Sequence, residues 1–229
     1  MTSSNATPVT IVVDDARTVS GLLLAPPRAR ACYLFAHGAG AGMTHPFMAA
    51  MAAGLEDRGI ASLRYQFPYM ERGSKRPDTP KVAHAAVRAA VAEAARVLPG
   101  MPLLAGGKSF GGRMTSQAQA AAPLPGVVGL LFLGFPLHPA GKPSIERAQH
   151  LAAIRIPMLF VQGTRDEMAD VTLIESTVGA LGRHATLHWV HDGDHSLRVP
   201  ARSERDPQQV LDGVFDAIQR WIEGLAERD

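Results

Sequence analysis

The chain has 229 residues, 23 Lys+Arg against 21 Asp+Glu, a formal charge of +2 and 46% hydrophobic residues. That apolar share is ample for a core and excludes disorder as the main state; the near balance of charge, with no basic run of five or more, excludes a nucleic-acid footprint. The single Cys32 sits in the apolar run 31–35 and cannot form an internal disulfide, which fits a buried thiol in a reducing compartment.

Residues 1–8 lack a basic stretch followed by an apolar one, so they do not resemble a secretory signal. No apolar run reaches the roughly 18 residues of a membrane helix. A soluble cytoplasmic protein without a membrane partner is expected. Residues 9–13 and 19–24 are β-type runs joined by the polar turn Asp14-Asp15-Ala16-Arg17, which predicts an antiparallel hairpin at a sheet edge. After Pro26-Pro27, short continuous apolar runs at 32–36, 61–65, 103–105, 127–133, 158–161 and 185–190 alternate with helical stretches at 46–58, 82–98, 110–121, 145–154, 171–181 and 208–227. Runs without polar alternation predict strands buried on both faces, and the helices between them predict parallel crossovers. The fold class is therefore α/β, a doubly wound and mostly parallel sheet with an antiparallel N-terminal edge strand. No composition shift, linker or repeat divides residues 1–229, which are read as one domain, and the stretch 67–80 is read as one long loop.

The chemistry-bearing motif is Gly107-Lys108-Ser109-Phe110-Gly111, placed between a predicted strand and a predicted helix. A nucleophile on so sharp a turn needs small neighbours two residues either side, and Gly107 and Gly111 fill those places. Ser109 would then project at a helix N-terminus, where free N–H groups favour developing negative charge. The Gly-Lys-Ser triplet does not make a phosphate loop, because Pro102 stands where the required earlier glycine belongs.

An activated serine needs a base and an orienting acid. Asp166 lies just past the strand run 158–161, and His195 lies in the loop His191-Asp192-Gly193-Asp194-His195-Ser196 after the last strand run. In this role His195 takes the Ser109 proton and Asp166 fixes the imidazole tautomer. The small-residue loop Gly38-Ala39-Gly40-Ala41-Gly42 suits an oxyanion hole, assigned to the N–H groups of Phe110 and Ala39. His37 is read as holding that loop in shape, and His138 as either a structural or a pocket-border residue.

The segments 36–43, 63–69, 106–113, 134–139, 162–166 and 193–197 together resemble the α/β-hydrolase superfamily, in particular its compact branch similar to dienelactone hydrolases and to eukaryotic testis-expressed and NSL-chromatin-complex subunit relatives. The resemblance spans almost the whole chain. It implies a Ser109–Asp166–His195 triad with no metal or organic cofactor. Some of the eukaryotic relatives serve as complex subunits, so the alternative is a non-catalytic binding module in a protein complex. Asp166 follows Ser109 by 57 residues and His195 follows Asp166 by 29, which leaves room for one loop and one short helix before the acid and predicts no cap domain.

The expected lining of Met43, Phe47, Phe67, Phe110, Met168 and Leu197 is apolar and suits a small, uncharged ester. His184, His188, His191 and His195 do not suggest zinc, because His188 and His191 would face opposite sides of a strand. Arg72, Lys75 and Arg76 are read as solvated. Arg64 and Arg113 are expected to brace the site through a carboxylate, and oligomeric state has no readable signal.

Overall fold

The computed structural model describes residues 6–226. Met1–Asn5, part of the segment read for a signal, and Glu227 at the end of the last expected helix lie outside the described residues. Strand β1 (Thr7–Asp14) and strand β2 (Arg17–Leu24) form the antiparallel hairpin expected from their polar turn, and Arg17 pairs with Asp14 across it.

The remaining strands are β3 (Cys32–Ala36), β4 (Ala61–Tyr65), β5 (Leu103–Lys108), β6 (Val127–Leu133), β7 (Met158–Gly163) and β8 (Ala185–Val190). They join the hairpin in one eight-stranded sheet of order β1-β2-β4-β3-β5-β6-β7-β8. β2 pairs antiparallel with β4, and every pairing from β4 to β8 is parallel. All residues of β3, β4, β5 and β7 are buried, as the unbroken apolar runs require of strands covered on both faces.

One face of the sheet carries Leu34, Leu63, Tyr65, Ala105, Phe132 and Phe160. It is covered by α3 (Pro80–Val97), α4 (Phe110–Ala121) and α5 (Val171–Leu181). The other face carries Tyr33, Phe35, Leu104, Leu131, Leu159 and Val161, under α1 (Pro46–Glu56) and α6 (Pro207–Ala226). Because β3 to β8 run the same way, the loops after β3, β5, β6, β7 and β8 meet at one edge, where ligands bind in such sheets.

One expectation changes. The stretch 67–80 is not a single loop: Pro68, with its φ preset for a first helical turn, starts the short helix α2 (Pro68–Glu71). Tyr69 N–H donates to Asp78 Oδ2 at 2.7 Å, and Arg72, exposed as expected, also pairs with Asp78 at 2.6 Å. The stretch 145–154 forms the expected short helix, of 3₁₀ type (Glu146–Ala153). With this helix and its flanking loops alone between β6 and β7, the sheet carries no cap there. Among the described residues no helix is long and apolar enough to cross a membrane.

Candidate active site

The chain turns sharply from β5 into α4 at Ser109, whose φ of 50° lies in the left-handed region that costs a side-chain-bearing residue strain. The turn is packed too tightly for side chains beside it. A Cβ on Gly107 would lie 2.3 Å from Ala36 O, and one on Gly111 2.5 Å from the same atom. Both glycines are therefore required by the close approach of β3, and together they hold Ser109 above the sheet edge. Phe110 begins α4, so its N–H has no acceptor within the helix.

His195 and Asp166 reach Ser109 from the loops after β8 and β7. His195 Nε2 lies 2.8 Å from Ser109 Oγ, and His195 Nδ1 lies 2.7 Å from Asp166 Oδ2. The Asp166 side chain is fully buried, whereas that of His195 is 26% exposed, so the row opens to solvent at its serine end. The three residues singled out in sequence thus stand in one hydrogen-bonded row.

Other groups fix that row. Asp166 also accepts from Gln162 Nε2 at 2.5 Å and from Met168 N–H at 2.8 Å. Gln162, fully buried at the end of β7, accepts in turn from Phe135 N–H at 2.9 Å, tying the β6 loop to the acid. Asp194 Oδ1 accepts from Ser196 N–H at 2.7 Å and Arg198 N–H at 3.0 Å, which shapes the turn carrying His195. Arg165 N–H donates to Gly193 O at 2.8 Å and so joins the acid loop to the histidine loop.

Lys108, one residue before Ser109, is 8% exposed and donates to the backbone carbonyl of His195. Burial pushes its ammonium down to about 8, against the attraction of Asp166 and Asp194. None of Gln162, Asp194 and Lys108 is legible as a site residue in the sequence. The only signals were positional: Lys108 adjoins the serine, Asp194 adjoins the histidine, and Gln162 is a polar residue at the end of an apolar strand.

Two buried histidines are structural ties. His37 is fully buried, its Nδ1–H donates to Gly38 O at 2.8 Å, and its Nε2 accepts from Phe67 N–H at 3.0 Å. Burial holds its imidazole down to about 4, in keeping with the neutral tautomer that this geometry needs. It thereby joins the loop carrying Ala39 to the start of α2. His138 does the same elsewhere, donating from Nδ1 to Pro139 O at 2.9 Å and accepting from Asp170 N–H at 2.9 Å.

The expected lining is only partly available. Phe67 is fully covered, packed edge-on against His37 and Phe110, and Leu197 is 2% exposed in the core beneath α1 and α6. Neither presents surface to a ligand, because the tight turns that carry them direct their side chains into the core. Met43, Phe47, Phe110 and Met168 remain half-buried, and Ala39 is exposed.

The arginines also differ from expectation. Arg64 is 6% exposed and donates to Met43 O at 3.4 Å, and among the described residues neither it nor Arg113 pairs with a carboxylate. Cys32 is fully covered, and burial pushes its thiol up to about 12, which leaves it an inert core residue.

A family model described as an alpha/beta hydrolase domain matches residues 29–223. Among solved structures, the chain is similar to a dienelactone hydrolase from Anabaena variabilis, with 18% identity, a TM-score of 0.76 and coverage of 97% of this chain and 98% of the other. It is similar as well to an α/β serine hydrolase without a lid from Xanthomonas campestris, with 19% identity, a TM-score of 0.73 and 95% of each chain covered. A third similar structure is Est1E from Butyrivibrio proteoclasticus, with 16% identity, a TM-score of 0.70 and coverage of 98% and 100%. At these identities the solved structures speak for the fold. With the family model spanning most of the sequence, the chain belongs to the alpha/beta hydrolase family.

Proposed function

We propose that the protein is a serine hydrolase that cleaves a small carboxylic ester through an acyl-enzyme. The observation that carries this reading is the unbroken row from Ser109 Oγ through His195 to Asp166, at 2.8 and 2.7 Å, built on a strained turn at a helix N-terminus. A module used only for binding has no physical need to hold a serine in this conformation beneath a correctly oriented imidazole.

In this mechanism Ser109 Oγ attacks the acyl carbonyl carbon while its proton passes to His195 Nε2. Asp166, accepting from Nδ1–H, keeps Nε2 free to take that proton and stabilises the imidazolium formed. The carbonyl oxygen becomes an oxyanion held by the N–H groups of Phe110 and Ala39. Collapse of the tetrahedral intermediate breaks the ester C–O bond, and the departing alkoxide takes the proton from His195. Water then attacks the acyl-enzyme, giving its proton to His195, and collapse returns the proton to Ser109 Oγ and releases the acid. The half-buried Phe110, Met43 and Met168 favour an uncharged chain next to the reacting carbonyl.

The test is steady-state hydrolysis of p-nitrophenyl acetate. The reading expects turnover that falls at least about 1000-fold in Ser109→Ala, with unchanged circular dichroism. Full activity in Ser109→Ala would overturn it. A folded protein with no turnover of esters, thioesters or lactones would favour the binding module.

A further inference from the structure

The flank of α4 against the 3₁₀ helix gathers basic side chains that form no ion pair with a carboxylate among the described residues. Arg113 stands four residues after Ser109 and is half-buried. Its Nε is buried without a hydrogen-bond partner, and among the described residues its guanidinium makes no ion pair. Four residues of helix advance roughly 6 Å along the axis, and a helical side chain leans toward the N-terminal end. Residue 113 thus stands one turn along α4 from the serine, its backbone N–H donating to Ser109 O at 3.1 Å.

The 3₁₀ helix Glu146–Ala153 packs on this flank and adds two more basic groups. Burial first, and the charge of Arg147 second, hold the Arg113 guanidinium below its ordinary value. His150 Nε2 lies 2.7 Å from Ser116 Oγ, and Ser116 Oγ donates to Arg113 O at 2.9 Å. With the serine proton so committed, His150 donates from Nε2 and its Nδ1 keeps a lone pair.

Burial pushes His150 down to about 4, helped by Arg113 and His84. From α3, His84 faces Gln117 at 3.4 Å, and Arg88 is already occupied by the carbonyls of Ala118 and Ala122 at 2.6 and 2.8 Å. The charges that shift these two groups are Arg147 on Arg113, and Arg113 and His84 on His150, all basic, and the exposed Glu146 is not among them. Half-buried like charges are costly unless a counter-charge sits among them, and paired guanidinium groups with an imidazole are the donor set that a planar or tetrahedral oxyanion takes.

We propose that Arg113, Arg147 and His150 form an anion-binding site for a carboxylate or phosphate group, one turn of α4 from Ser109. As a subsite for the far end of a substrate it rests on the hydrolase reading. As an anion site it stands independently of that reading.

The test titrates inorganic phosphate into the resting protein at pH 6 while the His150 ring resonances are followed by NMR. The ring is neutral there without ligand, and a neighbouring oxyanion draws a proton onto Nδ1. The expected result is a saturable change toward the imidazolium at millimolar phosphate, at least about tenfold weaker in Arg113→Gln and in Arg147→Gln, and retained in Arg113→Lys. No saturable change, or equal affinity in the glutamine variants, overturns the proposal.

A second arm identifies the source of the anion by comparing p-nitrophenyl acetate with the succinate half-ester. If the substrate supplies the anion, Arg113→Gln lowers the succinate-over-acetate ratio of kcat/KM by about tenfold. An unmoved ratio with intact phosphate binding assigns the site to free phosphate. Absence of turnover on both esters counts against the hydrolase reading and leaves the phosphate result standing.

Discussion

Lys108→Met separates what the lysine does for stability from what it does for the reaction. Lys108 is 8% exposed and its titration falls from an ordinary 10.5 to about 8. Keeping that charge buried below pH 8 therefore costs about 3 kcal/mol. Against this, the bond to His195 O is lost on substitution, and a buried carbonyl left without its donor costs about 1–3 kcal/mol.

The two effects nearly cancel, so Lys108→Met unfolds in urea within about 2 kcal/mol of the wild type at pH 7. The reaction has no such compensation. Without the strut the His195 turn relaxes, and a displacement on the order of 1 Å lowers kcat/KM roughly 10- to 100-fold. The pH dependence gives a further check, because between about 8 and 10.5 the unfolded lysine binds a proton that the folded one does not. Wild-type stability from this group therefore rises with pH across that window, and Lys108→Met lacks that rise. Full activity in Lys108→Met at pH 7, or a stability difference that does not change with pH, would refute the reasoning.

Other outcomes follow from the same geometry. Gly111→Ala places a Cβ 2.5 Å from Ala36 O, where only backbone can give way, so thermal unfolding should reveal a loss of about 3 kcal/mol or more. Gln162→Leu strips Phe135 N–H of its acceptor and Asp166 of one donor, and should cost about 2–4 kcal/mol in urea together with about tenfold in kcat/KM. His37 titrates at about 4 when folded against 6.5 ordinarily, so the unfolded state binds its proton first as pH falls. Its contribution is intact above 6.5 and declines by up to about 3 kcal/mol toward 4, and urea midpoints of His37→Phe should depend less on pH over that window. Ser109→Ala combined with His195→Ala should be no slower than Ser109→Ala alone in steady-state assays, since the two groups act as a unit.

The central sheet is legible in the sequence because β3, β4, β5 and β7 are covered on both faces and so lack polar alternation. Ser109 is legible because two glycines mark the crowding of its turn, and Asp166 and His195 because they follow strand runs in order. What stays hidden depends on contacts between distant segments. Phe67 and Leu197 look like lining residues until the packing of α2 and of the α1–α6 layer covers them. Gln162, Lys108 and Asp194 each brace the row through partners in other loops or at its turn, and local composition carries no trace of that. The short α2 and the 3₁₀ form of 146–153 fall below the length at which hydrophobic periodicity discriminates.

The most direct measurement of the central claim is intact-mass spectrometry after treatment with a fluorophosphonate, with Ser109→Ala in parallel. An activated serine attacks phosphorus and displaces fluoride, so the account predicts one covalent adduct on the wild type and none on the variant. An adduct that persists in Ser109→Ala, or well-folded wild-type protein that takes no label, would contradict it.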